Sequence, residues 1–358
     1  MTYSKRQSNF ELYRILVMLL IIGHHYVVNS GLNLMAYGDI FSWRSQFLLH
    51  LGGYGKTGIN CFVLLSSYFL FNRNFSLIRP LRLFAQWKTY EIFHFVLFLI
   101  SSSYERLTFK RLFELIMPFT HIDSNFMSCF LIFQFFIPFL SQMINQLTQK
   151  SHLLFLLLTV FLYSVMGSVP GIHITFNYVS WFSILYFIGA YLRRFPPRWI
   201  ECQRVCIVMF IISLSLSVFS ILLGSLLTMR LHLIVVYSML QDSHKILALT
   251  NAVTSFLVFR NLRLGHTPAI NWIAASVFGV FLFHASSDAM RRFLWQDVAH
   301  CQEWFNTPLL PLHAVLTIIG VFMVGLIIDK IRAACVACMM SSSLPAIRQI
   351  KCWLNGNH

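Results

Sequence analysis

The sequence predicts an all-α, polytopic transmembrane helix bundle of about ten spans with both termini cytoplasmic. Three observations carry that expectation. Hydrophobic residues make up 57% of the chain and charged residues only 11%, against about 25% charged in an ordinary soluble domain. Apolar stretches close to the ~20 residues needed to cross a bilayer recur from end to end. Lysine and arginine are divided unevenly between alternate connections.

The spans follow in order. The first, 10–30, is apolar through ILVMLLIIG, and the second, 57–72, opens on Thr57 and Gly58 and runs through CFVLL. The third, 84–102, keeps its length despite Lys88 and Glu91, which are spaced to pair on one helix. FMSCFLIFQFFIPFL begins the fourth, 126–147, and HLLFLLLTVFLYSVMGS is the fifth, 152–168. The sixth, 177–192, is aromatic and ends on Arg193 and Arg194, whereas the seventh, 205–227, is the most uniformly apolar. The eighth, ninth and tenth are 245–260, 270–286 and 309–329. A further apolar stretch, 231–240, is too short for a span and reads as re-entrant or interfacial.

With the N-terminus inside, sixteen Lys and Arg fall in cytoplasmic segments and eight outside, which supports that orientation. The same bias gives the formal charge of +15 a topological origin and removes nucleic acid as a partner to consider. The first span is long, broken by polar residues and without a small-residue cleavage site, so it reads as retained rather than as a cleaved signal peptide. The longest connections, 31–56, 103–125, 228–244 and 287–308, leave no room for a soluble domain. Residues 1–335 therefore form one membrane domain. Residues 336–358, with Ser341 to Ser343, Pro345, Arg348 and Lys351, form a basic cytoplasmic tail. The eight cysteines are scattered, and neither close pair, Cys335 with Cys338 or Cys202 with Cys206, has the company of a metal site, so none is expected.

Four clusters carry possible chemistry. In NFELYRILVMLLIIGHHYVV, Glu11, Arg14, Met18, Ile21 and His25 fall on one helical stripe, with His24 about a quarter turn away. Ionisable residues inside a span are costly and mark functional sites by default. Arg14 and His25 are separated by roughly 16 Å of helix rise, on the order of the pantetheine arm of coenzyme A. An acyl-CoA whose phosphates sit on Arg14 would thus present its thioester at His25. The bland reading has Arg14 snorkel to lipid phosphate while His25 bonds a neighbouring helix. The second cluster, GKTGINCFVLLSSYFLFN, holds Gly55, Gly58, Asn60, Ser66 and Ser67, which serve either close helix packing or a substrate. Third, Arg79 and Arg82 make a second grip for phosphate on the same side as Arg14, or simply obey the positive-inside rule. Fourth, His284 closes SVFGVFLFH and is followed by Asp288, Arg291, Arg292 and Trp295. These line an outer mouth for a polyhydroxylated or anionic acceptor, or they anchor the interface.

In their order and spacing these elements resemble bacterial acyltransferase family 3, the multipass O-acyltransferases of surface polysaccharides, and within it the exopolysaccharide branch. NFELYRIL is similar to the family's opening. Arg14 and His25 match its Arg-x(10)-His, GINCFVLLSSYFL its second-span element, and Arg79 and Arg82 its R-x-x-R. YFIGAYLRR matches its sixth-span ending and SVFGVFLFH its late histidine element. Two departures stand out: Asn60 where many members have Asp, and Ser67 where Gly is usual. The resemblance implies transfer of an acyl group, with acetyl expected, from cytoplasmic acyl-CoA to a sugar hydroxyl of a polysaccharide or lipid-linked acceptor, at the bacterial inner membrane. Acetyl-CoA would be a co-substrate, with no permanently bound cofactor, and other polysaccharide-assembly proteins are conceivable partners.

Residue chemistry joined to that resemblance makes His25 the base or acyl carrier, with His24 as the alternate and Glu11 orienting Arg14. Arg14, Arg79 and Arg82 would bind the CoA phosphates. Asn60, Ser66, His284, Arg291 and Arg292 are the candidates for the acceptor. The rival expectation is a flippase or transporter of a polysaccharide precursor, disfavoured by the scarcity of acidic residues within spans.

Overall fold

A computed structural model describes residues 6–32, 39–101, 104, 106–117, 119, 125–172, 174, 175, 177–231 and 234–354, with side chains to 339. Lys5 and the side chains of Ser341 to Ser343, Pro345, Arg348 and Lys351 lie outside that description. All regular structure among the described residues is helical. The helices are α1 (Ser8–Val28), α2 (Trp43–Gly52), α3 (Gly55–Leu70), α4 (Ile78–Ile100), α5 (Phe109–Ile116), α6 (Phe126–Gln146), α7 (Gln149–Val160), α8 (Tyr178–Arg194), α9 (Gln203–Leu231), α10 (Ile246–Asn261), α11 (Pro268–Ala274), α12 (Val277–Ala285), α13 (Asp288–Arg292) and α14 (Leu310–Leu354). Each expected span is helical, though 270–286 is divided between α11 and α12 at Ala275 and Ser276.

Among the described residues, six segments are long and apolar enough to cross a membrane: α1, α6, α7 with its π-helical continuation to Met166, α9, α11 with α12, and α14 to Met339. The other expected spans miss that standard for physical reasons. Helices α3, α8 and α10 have 16, 17 and 16 residues, and α4 is long but carries Arg79, Arg82, Lys88 and Glu91. Of the expected re-entrant stretch, the described residues 234–240 form no helix. They turn inward at Val236 and Leu240, both buried, and Gly224 lets α9 approach the Val236 backbone. Past residue 335, α14 continues as helix to Leu354 without a break.

Burial divides the bundle into inner and outer helices. About half or more of α1, α6 and α11 with α12 is buried, against less than a third of α7, α9 and α14. The outer helices therefore turn apolar side chains such as Leu154, Ile211, Phe219 and Leu316 outward, as lipid contact requires. Local chemistry starts the inner helices. Asn125 caps α6 by accepting from the backbone N–H of Met127 and Ser128, and Asn177 caps α8 by accepting from Ser180. Arg193 and Arg194, at the end of α8, donate to Tyr68 and to Ile144 and Asn145 carbonyls, placing two cations on the C-termini of α3 and α6.

Helix α1 is central and packs on α2, α3, α10, α11, α12 and α14. Asn9 donates to the Phe259 carbonyl at 2.9 Å, Tyr13 Oη lies 2.9 Å from Ser255 Oγ, and Ser8 accepts from the Thr267 N–H. The NFELYRIL opening thus works here as a set of ties to α10 and α11. Between α3 and α8 the contact is also close. A Cβ on Gly189 would meet Ser67 Cβ at 2.9 Å, so the small residue needed there is supplied by α8.

Asn60 is fully buried. Its amide donates to the Ser243 carbonyl at 2.7 Å and accepts from Trp181 Nε1 at 2.8 Å, joining α3, α8 and the inward turn. Asn60→Leu would strand both partners, at about 1–3 kcal/mol for each buried group. The expected outcome is a lower thermal unfolding midpoint of the detergent-solubilised protein.

Candidate functional site

Three cavities follow one another through the inner helices. The first, of about 460 Å³, is an arginine vestibule lined by Arg6, Arg14, Arg73, Arg79 and Arg82, with Ser66 and Gln134 among its polar residues. The second, of about 420 Å³, holds His24, His25, Lys56, Asn125 and Tyr178. Ile21, Ile59, Phe126 and Phe281 line both and form an apolar collar between them. The third, of about 310 Å³, shares Trp87, Asn125, Ser286, Asp288 and Arg291 with the histidine chamber, and no residue with the vestibule. The order is therefore vestibule, chamber, charged pocket.

The α1 stripe runs along this path. Arg14, Met18 and Ile21 line the vestibule, and Ile21 and His25 line the chamber. Glu11 is buried and meets Arg14 Nη1 at 3.4 Å, while the arginine remains about one third exposed. A buried carboxylate holding one edge of the guanidinium leaves the other donors free for an anion.

Close packing sets the two histidines differently. A Cβ on Gly55 would stand 2.1 Å from His24 Cγ, and one on Gly58 would stand 2.5 Å from Ile21 Cγ1. Helix α3 can lie against α1 only because both positions are glycine. His24 Nδ1 donates to the Gly52 carbonyl at 2.5 Å, which fixes that ring. His25 Nδ1 is buried with no hydrogen-bond partner among the described residues. Its ring centroid lies 5.1 Å from that of His284. His284 donates from Nδ1 to the Val280 carbonyl at 2.6 Å, so its neutral ring carries the lone pair on Nε2, which also has no described partner.

Several sequence expectations need correcting. His284 does not line an outer mouth. It is fully buried, touches none of the three cavities and stands behind His25. A position at the end of an apolar run reads as a membrane surface, but α12 is an interior helix and the bond to Val280 folds the ring back onto it. Asn60 lines none of the three cavities, and its amide is spent on packing. Arg292 is exposed and off the path, since one helical step rotates it about 100° from Arg291, which lines both chamber and charged pocket. Ser66 belongs to the vestibule, on the side of the arginines.

Other residues of the site went unmarked. Lys56 donates to Tyr178 Oη at 2.7 Å, within the chamber, and Arg6 and Arg73 join the vestibule. Arg73 follows the apolar run of α3 as Arg79 does, so its position was a readable signal; the union of Lys56 with Tyr178 is purely tertiary. Lys88 and Glu91 do pair, at 2.7 Å, as their spacing predicts. No cluster of three or more His, Cys, Asp or Glu able to hold a metal occurs among the described residues.

Gly55→Ala tests the arrangement without reference to activity. The added methyl must displace the His24 ring, at about 1–3 kcal/mol for overpacking, and the expected readout is a lowered unfolding midpoint that the further change His24→Ala restores. Comparison with known family models, characterised proteins and solved structures gives no match, so the reading of the site rests on its geometry and residue chemistry.

Proposed function

We propose that the chain is a membrane O-acyltransferase that moves an acyl group, acetyl being the expected one, from acyl-CoA to a sugar hydroxyl of a cell-surface or exopolysaccharide acceptor. The observation that carries this reading is the succession of cavities: an arginine vestibule, an apolar collar and a chamber with an unpartnered histidine nitrogen. Coenzyme A has the same succession of chemistry, with phosphates at one end, a slender arm and a thioester at the other. Arg14, Arg79 and Arg82, joined by Arg6 and Arg73, bind the phosphates, because guanidinium forks suit phosphate oxygens. The collar excludes water from the thioester.

In the chamber, His25 removes the proton of the acceptor hydroxyl as its oxygen attacks the thioester carbonyl. The C–S bond breaks, CoA leaves as thiolate, and the imidazolium returns the proton to sulfur. His284, behind His25, steadies the ring and its charge; His24, tied to Gly52, shapes the wall. Lys56, which lines the same chamber, supplies a cation to the negative charge that develops on the carbonyl oxygen in this reading. The competing acyl-imidazole route would leave acetyl on His25 when no acceptor is present, and mass spectrometry of the protein incubated with acetyl-CoA alone separates the two.

The reading includes ten spans, the short or charged helices α3, α4, α8 and α10 crossing within the shelter of the outer ones. The N- and C-termini and the vestibule face the cytoplasm of a bacterial inner membrane, where acyl-CoA is found.

Release of CoA from acetyl-CoA by the purified protein in nanodiscs, with surface polysaccharide as acceptor, tests the proposal. His25→Ala is expected to lower turnover about 10²–10⁴-fold. Arg14→Ala and Arg82→Ala are expected to raise KM for acetyl-CoA more than they lower kcat, with smaller effects when the donor is an acyl-pantetheine lacking the nucleotide phosphates. Turnover unaffected by His25→Ala would overturn the assignment. A folded protein inactive with every acyl-CoA offered would leave the same path to a polysaccharide-precursor flippase.

A further inference from the structure

A fourth cavity, an open groove of about 540 Å³, adjoins the vestibule at Arg73, which lines both. Its walls are the connection from α3 to α4 and the last turns of α6, and every residue lining it is described. One helix fixes its place in the succession. Along α6, Phe126 lines the histidine chamber and the collar, Phe130 and Gln134 line the vestibule, and Pro138, Gln142 and Asn145 line the groove. The groove therefore lies at the end of the path opposite the histidines. Phe126 and Gln142 are separated by about 24 Å of helix rise, comparable with the reach of an extended CoA from thioester to base.

The lining suits a flat, neutral, hydrogen-bonding group better than an anion. Asn72, Asn74, Gln142, Asn145 and Gln146 contribute carboxamides, and Arg73 is the one cation among the described lining residues, against five in the vestibule. A carboxamide holds a donor and an acceptor side by side, so it pairs two-pronged with the edge of a purine, as Asn and Gln do with adenine N6 and N7. Asn74, Gln142 and Gln146 make no side-chain hydrogen bond among the described residues. Asn145 Nδ2 donates to Asn72 Oδ1 at 2.8 Å and ties the two walls together. Phe75, 43% exposed and tilted against Phe135 with 6.3 Å between ring centroids, supplies an aromatic face on which a base can stack. A sugar acceptor seated here would be cut off from His25 by the arginines and the collar.

We infer that this groove seats the adenine base of the acyl-CoA donor, with Arg73 at the junction meeting the adjoining phosphates. The inference rests on the acyl-CoA reading for the identity of the nucleotide. The path then runs base, phosphates, pantetheine arm and thioester, which is the order of the parts in CoA.

The test is titration calorimetry of the full-length protein in nanodiscs with adenosine 3′,5′-bisphosphate and with its abasic counterpart, in which hydrogen replaces the base. Both ligands carry the same phosphates, so the difference between them isolates the base. The adenosine form is expected to bind at least about tenfold more tightly and to be displaced by CoA. Phe75→Ala is expected to narrow that ratio about threefold or more. Gln142→Ala, at an exposed side chain, does the same and serves if the first variant fails to keep the wild-type unfolding midpoint. Equal binding of the two ligands, binding of neither, a ratio unmoved in the folded variants, or failure of CoA to displace the adenosine form would overturn the inference. Acetyl-CoA turnover on the same preparation keeps the two readings apart. Turnover with equal binding would sink the groove assignment alone. Base-selective binding that CoA displaces, in a protein that releases CoA from no acyl-CoA, would uphold the groove and sink the acyltransferase reading instead.

Discussion

The approach of α3 to α1 at Gly55 and Gly58 is the constraint on which the rest of the site depends. With no side chain at either position, α3 lies so close that the His24 ring and Ile21 fill the space a Cβ would take. That proximity does three things together. It brings Lys56 and Ile59 to the cavities, presses His24 onto the Gly52 carbonyl, and sets Ile21 and Ile59 together in the collar that separates the arginines from the histidines. Helix association within a bilayer gains little from the hydrophobic effect, so contact of this kind has to come from close packing and from polar ties. The ties are present: Asn9 to α10, Ser8 to the approach of α11, and Asn60 between α8 and the inward turn.

Charge is handled by pairing wherever it is buried. Asp329 on α14, almost wholly enclosed, accepts from Tyr90 Oη at 3.0 Å and from Arg332 Nε at 2.8 Å, while Gln86 adds a longer contact at 3.3 Å. Lys88 and Glu91 do the same in the middle of α4. An unpaired charge at that depth would cost several kcal/mol. Around the vestibule, by contrast, Arg79 and Arg82 are exposed and have no ion-pair partner among the described residues. Exposed, unpaired arginines around a cavity attract polyanions.

Much of the α1 chemistry was legible because a helix is a local structure. The interval from Arg14 to His25 on one stripe follows from residue rise and rotation, and α1 is one unbroken helix from Ser8 to Val28. The pairing of Lys88 with Glu91 is legible for the same reason. What failed was inference about depth. His284 and Asn60 stand near the ends of apolar runs, where sequence suggests contact with solvent or substrate. In the structure neighbouring helices cover both, and their polar atoms turn to Val280, Trp181 and Ser243.

By itself the sequence determined that this chain is helical, that its apolar segments recur at membrane-spanning intervals, and that Glu11, Arg14 and His25 share a face. Each follows from composition or from the period of a single helix. Only the tertiary structure decided that His284 stands against His25, that Arg6 and Arg73 join Arg79 and Arg82 around one cavity, and that Arg291 rather than Arg292 reaches the path. These depend on how helices far apart in sequence rotate and approach, which is set by glycine contacts and buried hydrogen bonds that no local pattern encodes.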